Sequence, residues 1–457
     1  MKADYPTSPP HFLRDFFQSP SFSAWFFGAL FFLASADMFF TTHILGFNLR
    51  WGQMLLLLAA LPALRRLWTD FQRDSLEGKT RLRFLLAWLP FFILYGIAAL
   101  YAHSPFLTGI KWGWGIFNIS LAALVCLNPR QDDSLERGFQ GGIILISAFI
   151  WMEAIAIYGF SPATTLQDLG PGNPAAVSFL SIPIGYAQTS LRFMDLQTYR
   201  PNAFYYEPSF AACALTFSFF LLFFLDLKKS AVKSGWIPAL VLSSVILSSS
   251  RTGILSAAIF FVLTFSVLGF RSKPSFFRSS VLKTLVISAL LIGLFCVFPN
   301  GRKYMQFLGG PLGSGSAKRF NNTAASEGGR LENAKQCLKL WAKSPLLGYG
   351  VLPRLETGNR GLAQISLSTW FEIGLESGIL GVLGFLFAIL YNMRLAWKKS
   401  SDFPLKTLIL AAWIIHFTVH LFLSQTFPRL DYWLLFFLSI RLLLWRPEVN
   451  TENNRRF

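Results

Sequence analysis

Long apolar runs separated by short polar joints dominate this chain, and their length, well beyond that of a strand, reads as helix after helix. The runs fall at 22–40, 51–64, 84–102, 107–127, 139–160, 203–225, 236–249, 252–270, 281–298, 371–393, 405–423 and 430–445. Crossing the hydrocarbon core takes about 20 apolar residues in a helix. The pattern therefore predicts an all-α polytopic membrane protein with about twelve transmembrane helices. One long polar interruption, 299–369, is expected to be a large loop between the ninth and tenth helices. The expected division is 1–200 (helices one to five and the loop after them), 201–298 (helices six to nine), 299–369 (the large loop) and 370–457 (helices ten to twelve and a tail). The first run lacks the preceding basic stretch and following cleavage site of a secretory signal, so it is read as a helix of the mature protein.

Composition supports the membrane frame. The 457 residues are 53% hydrophobic, include 49 Phe and are only 14% charged, a balance that would leave a water-soluble protein with a very large exposed apolar surface. Cys126, Cys213 and Cys296 lie in apolar runs and Cys337 stands alone in a loop, which gives neither a disulfide framework nor metal-ligand spacing.

Basic residues orient the helices, because short loops rich in Lys and Arg stay in the cytoplasm. With the N-terminus inside, the inner joints hold Arg65, Arg66, Arg73, Lys79, Arg81, Arg83, Arg130, Arg137, Lys228, Lys229, Lys233, Arg271, Lys273, Arg278, Lys283, Arg394, Lys398, Lys399 and Lys406. The short outer joints carry only Arg50, Lys111, Arg192, Arg200, Arg251 and Arg429. Both termini are expected in the cytoplasm. The loop 299–369 then faces outward, and its excess of Lys and Arg makes either a field for an anionic substrate or a contact with anionic headgroups.

Within that loop, Gly309–Gly315 and Asn321–Gly329 read as turn-rich chain. Arg330–Trp341 follows, with Leu331, Ala334, Leu338 and Trp341 at helical spacing, and predicts an amphipathic surface helix. Pro345 stops it, and Gly348 and Gly350 allow a tight turn in Ser344-Pro-Leu-Leu-Gly-Tyr-Gly350. Trp370-Phe-Glu-Ile-Gly-Leu-Glu-Ser-Gly-Ile-Leu-Gly381 re-enters the membrane. There Glu372 and Glu376 share a helical face, either as catalytic groups or as partners of loop arginines.

Upstream, Arg200-Pro-Asn-Ala-Phe-Tyr-Tyr-Glu-Pro-Ser209 puts Arg200 and Glu207 at the mouth of an apolar run, and Ser248-Ser-Ser-Arg-Thr-Gly253 puts Arg251 at a helix junction. Ionisable groups at such a boundary are costly unless paired, wet or functional. Asp37 and Glu153 are intramembrane carboxylates near the outer side, able to pair with a motif arginine, Trp112-Gly-Trp-Gly115 reads as close helix packing, and Asp168–Asn173 reads as turn chemistry.

The order of these motifs over 200–445 resembles the O-antigen ligase and Wzy-type polysaccharide polymerase family. Residues 200–209 are similar to the Arg-x-x-Gly-Phe-x-x-Glu-Pro-Ser pattern of exopolysaccharide polymerases. The resemblance implies a bundle like those of the GT-C glycosyltransferases. It also implies transfer of a glycan from undecaprenyl pyrophosphate to an acceptor lipid-linked glycan, at the periplasmic face of the bacterial inner membrane. A ligase delivering glycan to lipid A core is the alternative within the family, and a lipid-linked oligosaccharide flippase the alternative outside it. A flippase would show repeat halves and mid-membrane charges, and neither is visible in the sequence.

On this reading Arg200, Arg251 and Arg330 bind the pyrophosphate, since planar guanidinium donors match phosphate oxygens. No metal and no cofactor is expected. Expected partners are the glycans, the bilayer and a chain-length regulator or other assembly protein, with no nucleic acid. Many relatives carry a histidine shortly before Glu-x-Gly-Ile-Leu-Gly, and here Ser366, Leu367 and Ser368 stand instead. Glu207 is therefore the first choice of general base and His420, four residues from His416, the second. Tyr206, Tyr349 and Trp370, with Glu372 and Glu376, either support the glycan or serve structure.

Overall fold

The computed structural model describes residues 20–36, 41–44, 47–73, 75–128, 133–168, 175–193, 196–205, 208–228, 235–248, 250–268, 274–309, 334–351, 368–399, 403–421 and 429–444. Each apolar run of the sequence overlaps a helix. In chain order these are α1 (Pro20–Ser35), α2 (Trp51–Gln72), α3 (Leu76–Leu86), α4 (Leu89–Leu100), α5 (Pro105–Cys126), α6 (Ser134–Gly159), α7 (Pro208–Lys228), α8 (Trp236–Leu247), α9 (Arg251–Leu268), α10 (Pro274–Phe295), α11 (Pro299–Gly309), α12 (Thr369–Lys399), α13 (Phe403–Ile415) and α14 (Leu430–Leu444). Among the described residues Gly78–Leu100, Pro105–Cys126, Ser134–Gly159 and Thr369–Lys399 are long and apolar enough to cross a membrane, and shorter apolar helices accompany them. The chain is a mostly helical, multi-pass membrane protein.

Several expectations need correction. The all-α reading misses β1 (Thr41–Ile44) paired with β2 (Phe47–Arg50), and an antiparallel sheet of β3 (Thr164–Asp168), β4 (Ala175–Phe179), β5 (Ile182–Phe193) and β6 (Leu196–Pro201) in that order. Asp168 thus ends a strand, whereas 169–173 lie outside the described residues. The β4–β5 hairpin turns on Leu180 and Ser181, both at positive φ, the twist that two-residue hairpins require. The large loop begins with α11, whose Tyr304 is buried and donates to Leu247 O at 2.7 Å. The tenth helix is broken at Gly378, where φ is 64° and ψ −167°.

Small residues bring the first helices together. α1 lies along α6, with Gly28 facing Gly138 and Gly142, and a side chain added at Gly138 or Gly142 would collide with α1. Such close approach replaces the hydrophobic drive that lipid cannot supply. Aromatic rings fill the centre between α4, α12 and α14: Trp88 packs edge-on against Trp433 at 5.1 Å and against Phe385 at 5.9 Å. Edge-to-face packing of this kind is worth about 0.5–1.5 kcal/mol per pair beyond area burial.

The amphipathic helix of the loop is present over 334–341. Leu338 is exposed and Cys337 is fully buried, so the inward stripe is rotated from the one the sequence marked. Burial pushes the Cys337 thiol up to about 11.

Candidate functional site

The two C-terminal motifs fold into one joint. At Gly378 the helix ladder of α12 opens, and the segment 345–350 fills the gap. The backbone N–H of Tyr349 donates to Leu375 O at 2.5 Å, and that of Gly350 to Glu376 O at 3.1 Å. In return the N–H of Ile379 donates to Pro345 O at 2.8 Å, and that of Leu380 to Leu346 O at 3.4 Å. Irregular backbone inside a bundle persists only when each freed polar group finds a partner, because an unsatisfied one costs about 1–3 kcal/mol. Gly378 and Gly348, at φ 64° and 72°, occupy left-handed backbone, and a side chain on either would overlap the opposing chain. Trp341 closes the joint from the loop helix, its ring lying against Gly374 and its indole N–H donating to Pro345 O at 3.2 Å.

A buried ionic cluster fastens this joint to the N-terminal half. Lys111 of α5 reaches Glu372 Oε1 at 2.5 Å and also pairs with Glu376 Oε1. The Tyr95 hydroxyl of α4 donates to Glu376 Oε2 at 2.5 Å. Among the described residues the cation that pairs with these carboxylates is a helix lysine; 310–333 and 352–367, which hold most of the loop arginines weighed from sequence, lie outside them. Among the described residues Glu372 Oε2 is buried with no hydrogen-bond partner. Val351 N donates to Thr108 Oγ1 at 2.8 Å, and His103 N to Tyr349 O at 2.9 Å, which ties the same loop to the start of α5.

The 200–209 segment is built differently. Arg200 lies in β6 opposite Gln188 and is half-buried. Beyond it the chain turns around the Glu153 carboxylate of α6, whose Oε2 accepts from the N–H groups of Asn202 and Ala203, each at 3.0 Å. The sequence offered Glu153 as a partner for an arginine; its partners here are backbone amides. Tyr158, one turn on, holds Tyr199 from both sides, its hydroxyl meeting Tyr199 O at 2.5 Å and N at 2.9 Å. Burial pushes the Tyr186 hydroxyl of β5 up. Arg429 binds Asp431 in a forked pair, with Nε to Oδ1 at 3.1 Å and Nη2 to Oδ2 at 3.0 Å. Its guanidinium lies 5.0 Å from the Tyr205 ring and 5.0 Å from the Phe210 ring. The arginine thereby contacts Tyr205 within the motif and Phe210 just after it.

His420 ends a π turn, His416–His420, that follows α13. Its Nε2 lies 3.1 Å from Ser256 Oγ of α9, and its Nδ1 lies 3.4 Å from His416 Nδ1. His416 is stacked on Phe217 at 4.6 Å and on Tyr432 at 5.3 Å. Both imidazoles are buried. Trp370 Nε1 donates to Phe417 O at 2.9 Å and Ser368 Oγ to Leu421 O at 3.2 Å, so the start of α12 abuts the histidine turn.

Of the residues marked from sequence, Tyr349, Glu372 and Glu376 meet at the joint. Trp370 and His420 meet around the π turn, and Arg200 sits on the sheet. Arg251 opens α9, with its side chain outside the described part of the structure. Asp37, Tyr206, Glu207 and Arg330 lie outside the described residues. Lys111, Tyr95, Arg429 and Ser256 were missed. A lone lysine in an apolar run was a visible signal for Lys111, because intramembrane charge marks a site by default.

Membrane-length helices joined by a buried polar cluster define a multi-pass membrane protein with a broken helix at its centre. The O-antigen ligase family model matches residues 236–386, from α8 through the joint. A stretch of 176 residues is 25% identical to the "Putative colanic acid polymerase" of Escherichia coli (strain K12), covering 38% of this chain and 41% of that protein. Both matches support the family that the motifs resemble, O-antigen ligase and Wzy-type polysaccharide polymerase.

Proposed function

We propose that this protein is a polysaccharide polymerase. It moves a glycan from an undecaprenyl pyrophosphate carrier to an acceptor lipid-linked repeat unit at the periplasmic face of the inner membrane. The observation that carries the reading is the joint at Gly378, where the two C-terminal motifs interlock within the segment matched by the family model. The name of the colanic acid polymerase relative and the Glu-Pro-Ser motif favour polymerase over ligase.

In the reaction so proposed, the acceptor hydroxyl oxygen attacks the anomeric carbon of the donor. The bond from that carbon to the pyrophosphate oxygen breaks, with inversion, and undecaprenyl pyrophosphate leaves. Arg200, Arg251 and Arg330 hold the leaving pyrophosphate, with forked donors preorganised where negative charge develops. Glu207 takes the proton from the acceptor hydroxyl, and His420 is the alternative base. Transfer on this reading needs no metal. Both termini are cytoplasmic and 299–369 faces the periplasm, where a chain-length regulator has access.

Deletion of the gene, followed by analysis of lipid-linked glycans, tests the reading. Accumulation of single lipid-linked repeat units without long chains is expected. Long unattached chains would assign the protein as a ligase, and an unchanged glycan profile would overturn both.

A further inference from the structure

Glu153 is fully buried in the C-terminal half of α6. A carboxylate in such a place is costly unless compensated, and here the compensation comes from the motif's own backbone. Ala203 has φ 50°, so the N–H groups of Asn202 and Ala203 converge on one carboxylate oxygen, at 3.0 Å each. Successive amides in such a turn form a concavity that takes an anion. Gly185 of β5 leaves room for the other oxygen, since a side chain there would overlap Glu153 Oε1. The turn then closes on itself: Asn202 Nδ2 donates to Tyr205 O, and Tyr205 N donates to Asn202 O, each at 3.0 Å. Phe204 packs on Phe149 of the same helix at 4.7 Å and on Phe32 of α1 at 5.4 Å.

We propose that Glu153 is the positioning residue of the 200–209 motif. Its carboxylate is the template around which Asn202–Ala203 folds, and it fixes the direction in which the chain leaves Tyr205, two positions before Glu207 in the sequence. The inference rests on Glu207 acting as the base. Glu153 itself touches neither substrate nor reacting atom.

The test compares Glu153→Leu, Glu153→Gln and Glu153→Asp in the full chain, measuring transfer per folded molecule. Displacing a reacting group by about 1 Å costs on the order of a hundredfold in rate. Glu153→Leu is expected to lose about that much, and Glu153→Asp, which withdraws the carboxylate from the turn, a smaller share. Glu153→Gln keeps an oxygen able to accept both amides and should restore most of the activity. Combined with Glu207→Gln, Glu153→Leu should add little, because groups acting through one another are not additive. Near-normal turnover of Glu153→Leu and Glu153→Asp, or a full additional loss in the double variant, would overturn the proposal. If Glu207→Gln alone keeps normal turnover, it is the base assignment that fails. Glu153 is then judged by thiol labelling of Tyr206→Cys, with faster labelling expected in the Asp variant but not in the Gln variant. An unchanged labelling rate in both would end the positioning role as well.

Discussion

At the joint, two carboxylates of α12 are matched by a side-chain cation from α5 and a hydroxyl from α4. At the 200–209 turn, one carboxylate of α6 is matched by two main-chain N–H groups. Both place acid inside a bundle, yet they depend on sequence in different ways. The joint needs Lys111, Tyr95, Glu372 and Glu376 all present as those residue types. The turn needs Glu153, the space that Gly185 leaves beside it and a backbone able to adopt positive φ at Ala203. Side-chain pairing makes a connection that one substitution can break from either end. Backbone pairing concentrates the vulnerability on the single carboxylate.

The largest effect expected from breaking this contrast is at Lys111. Lys111→Met leaves two buried carboxylates without their cation, and removal of one partner from a buried pair costs about 3–5 kcal/mol. Thermal unfolding in detergent should show a large fall in midpoint, largely reversed when Glu372→Gln and Glu376→Gln are added. A midpoint unchanged by Lys111→Met would mean that the pair contributes nothing to the joint.

Gly378→Ala attacks the backbone half of the joint. A side chain at φ 64° costs about 1–3 kcal/mol, and here it would also meet Leu346 O. Limited proteolysis should then cut within 344–351 sooner than in the wild type, while equal cleavage rates would refute the interlock.

The smallest effect sharpens the comparison at the turn. Asn202→Ala removes the side-chain bond to Tyr205 O but keeps the N–H that Glu153 accepts. One such bond is worth about 0.5–1.5 kcal/mol, so stability should fall by no more than that and turnover should stay within a few-fold. A loss as large as that of Glu153→Leu would show that the asparagine side chain, not the backbone, carries the turn.

Much of the helical layout is legible because the bilayer enforces it: a segment that must satisfy its own hydrogen bonds in lipid becomes a helix, and each apolar run overlaps one among the described residues. The β3–β6 sheet was overlooked although its segments hold strand formers bounded by Gly, Pro and Asn, because the stretch was read as a loop between helices. Along the sequence Lys111 reads as a boundary charge, and its partners stand 261 and 265 residues away. Arg429 reads in the same way, and only packing reveals that its guanidinium faces Tyr205 and Phe210.

By itself the sequence determined where the long apolar helices lie, where acids and bases sit along the chain, and which short motifs resemble a known family. Those properties are local, set by hydropathy, glycine placement and residue type within a few turns. Tertiary structure alone decided that 345–350 would fill the break at Gly378, that Lys111 would answer Glu372 and Glu376, and that Glu153 would take backbone amides as its partners. Each of these choices depends on which distant groups arrive at the same buried place. Burial there leaves a polar atom no water to fall back on, so the partner that packing delivers becomes the one that counts.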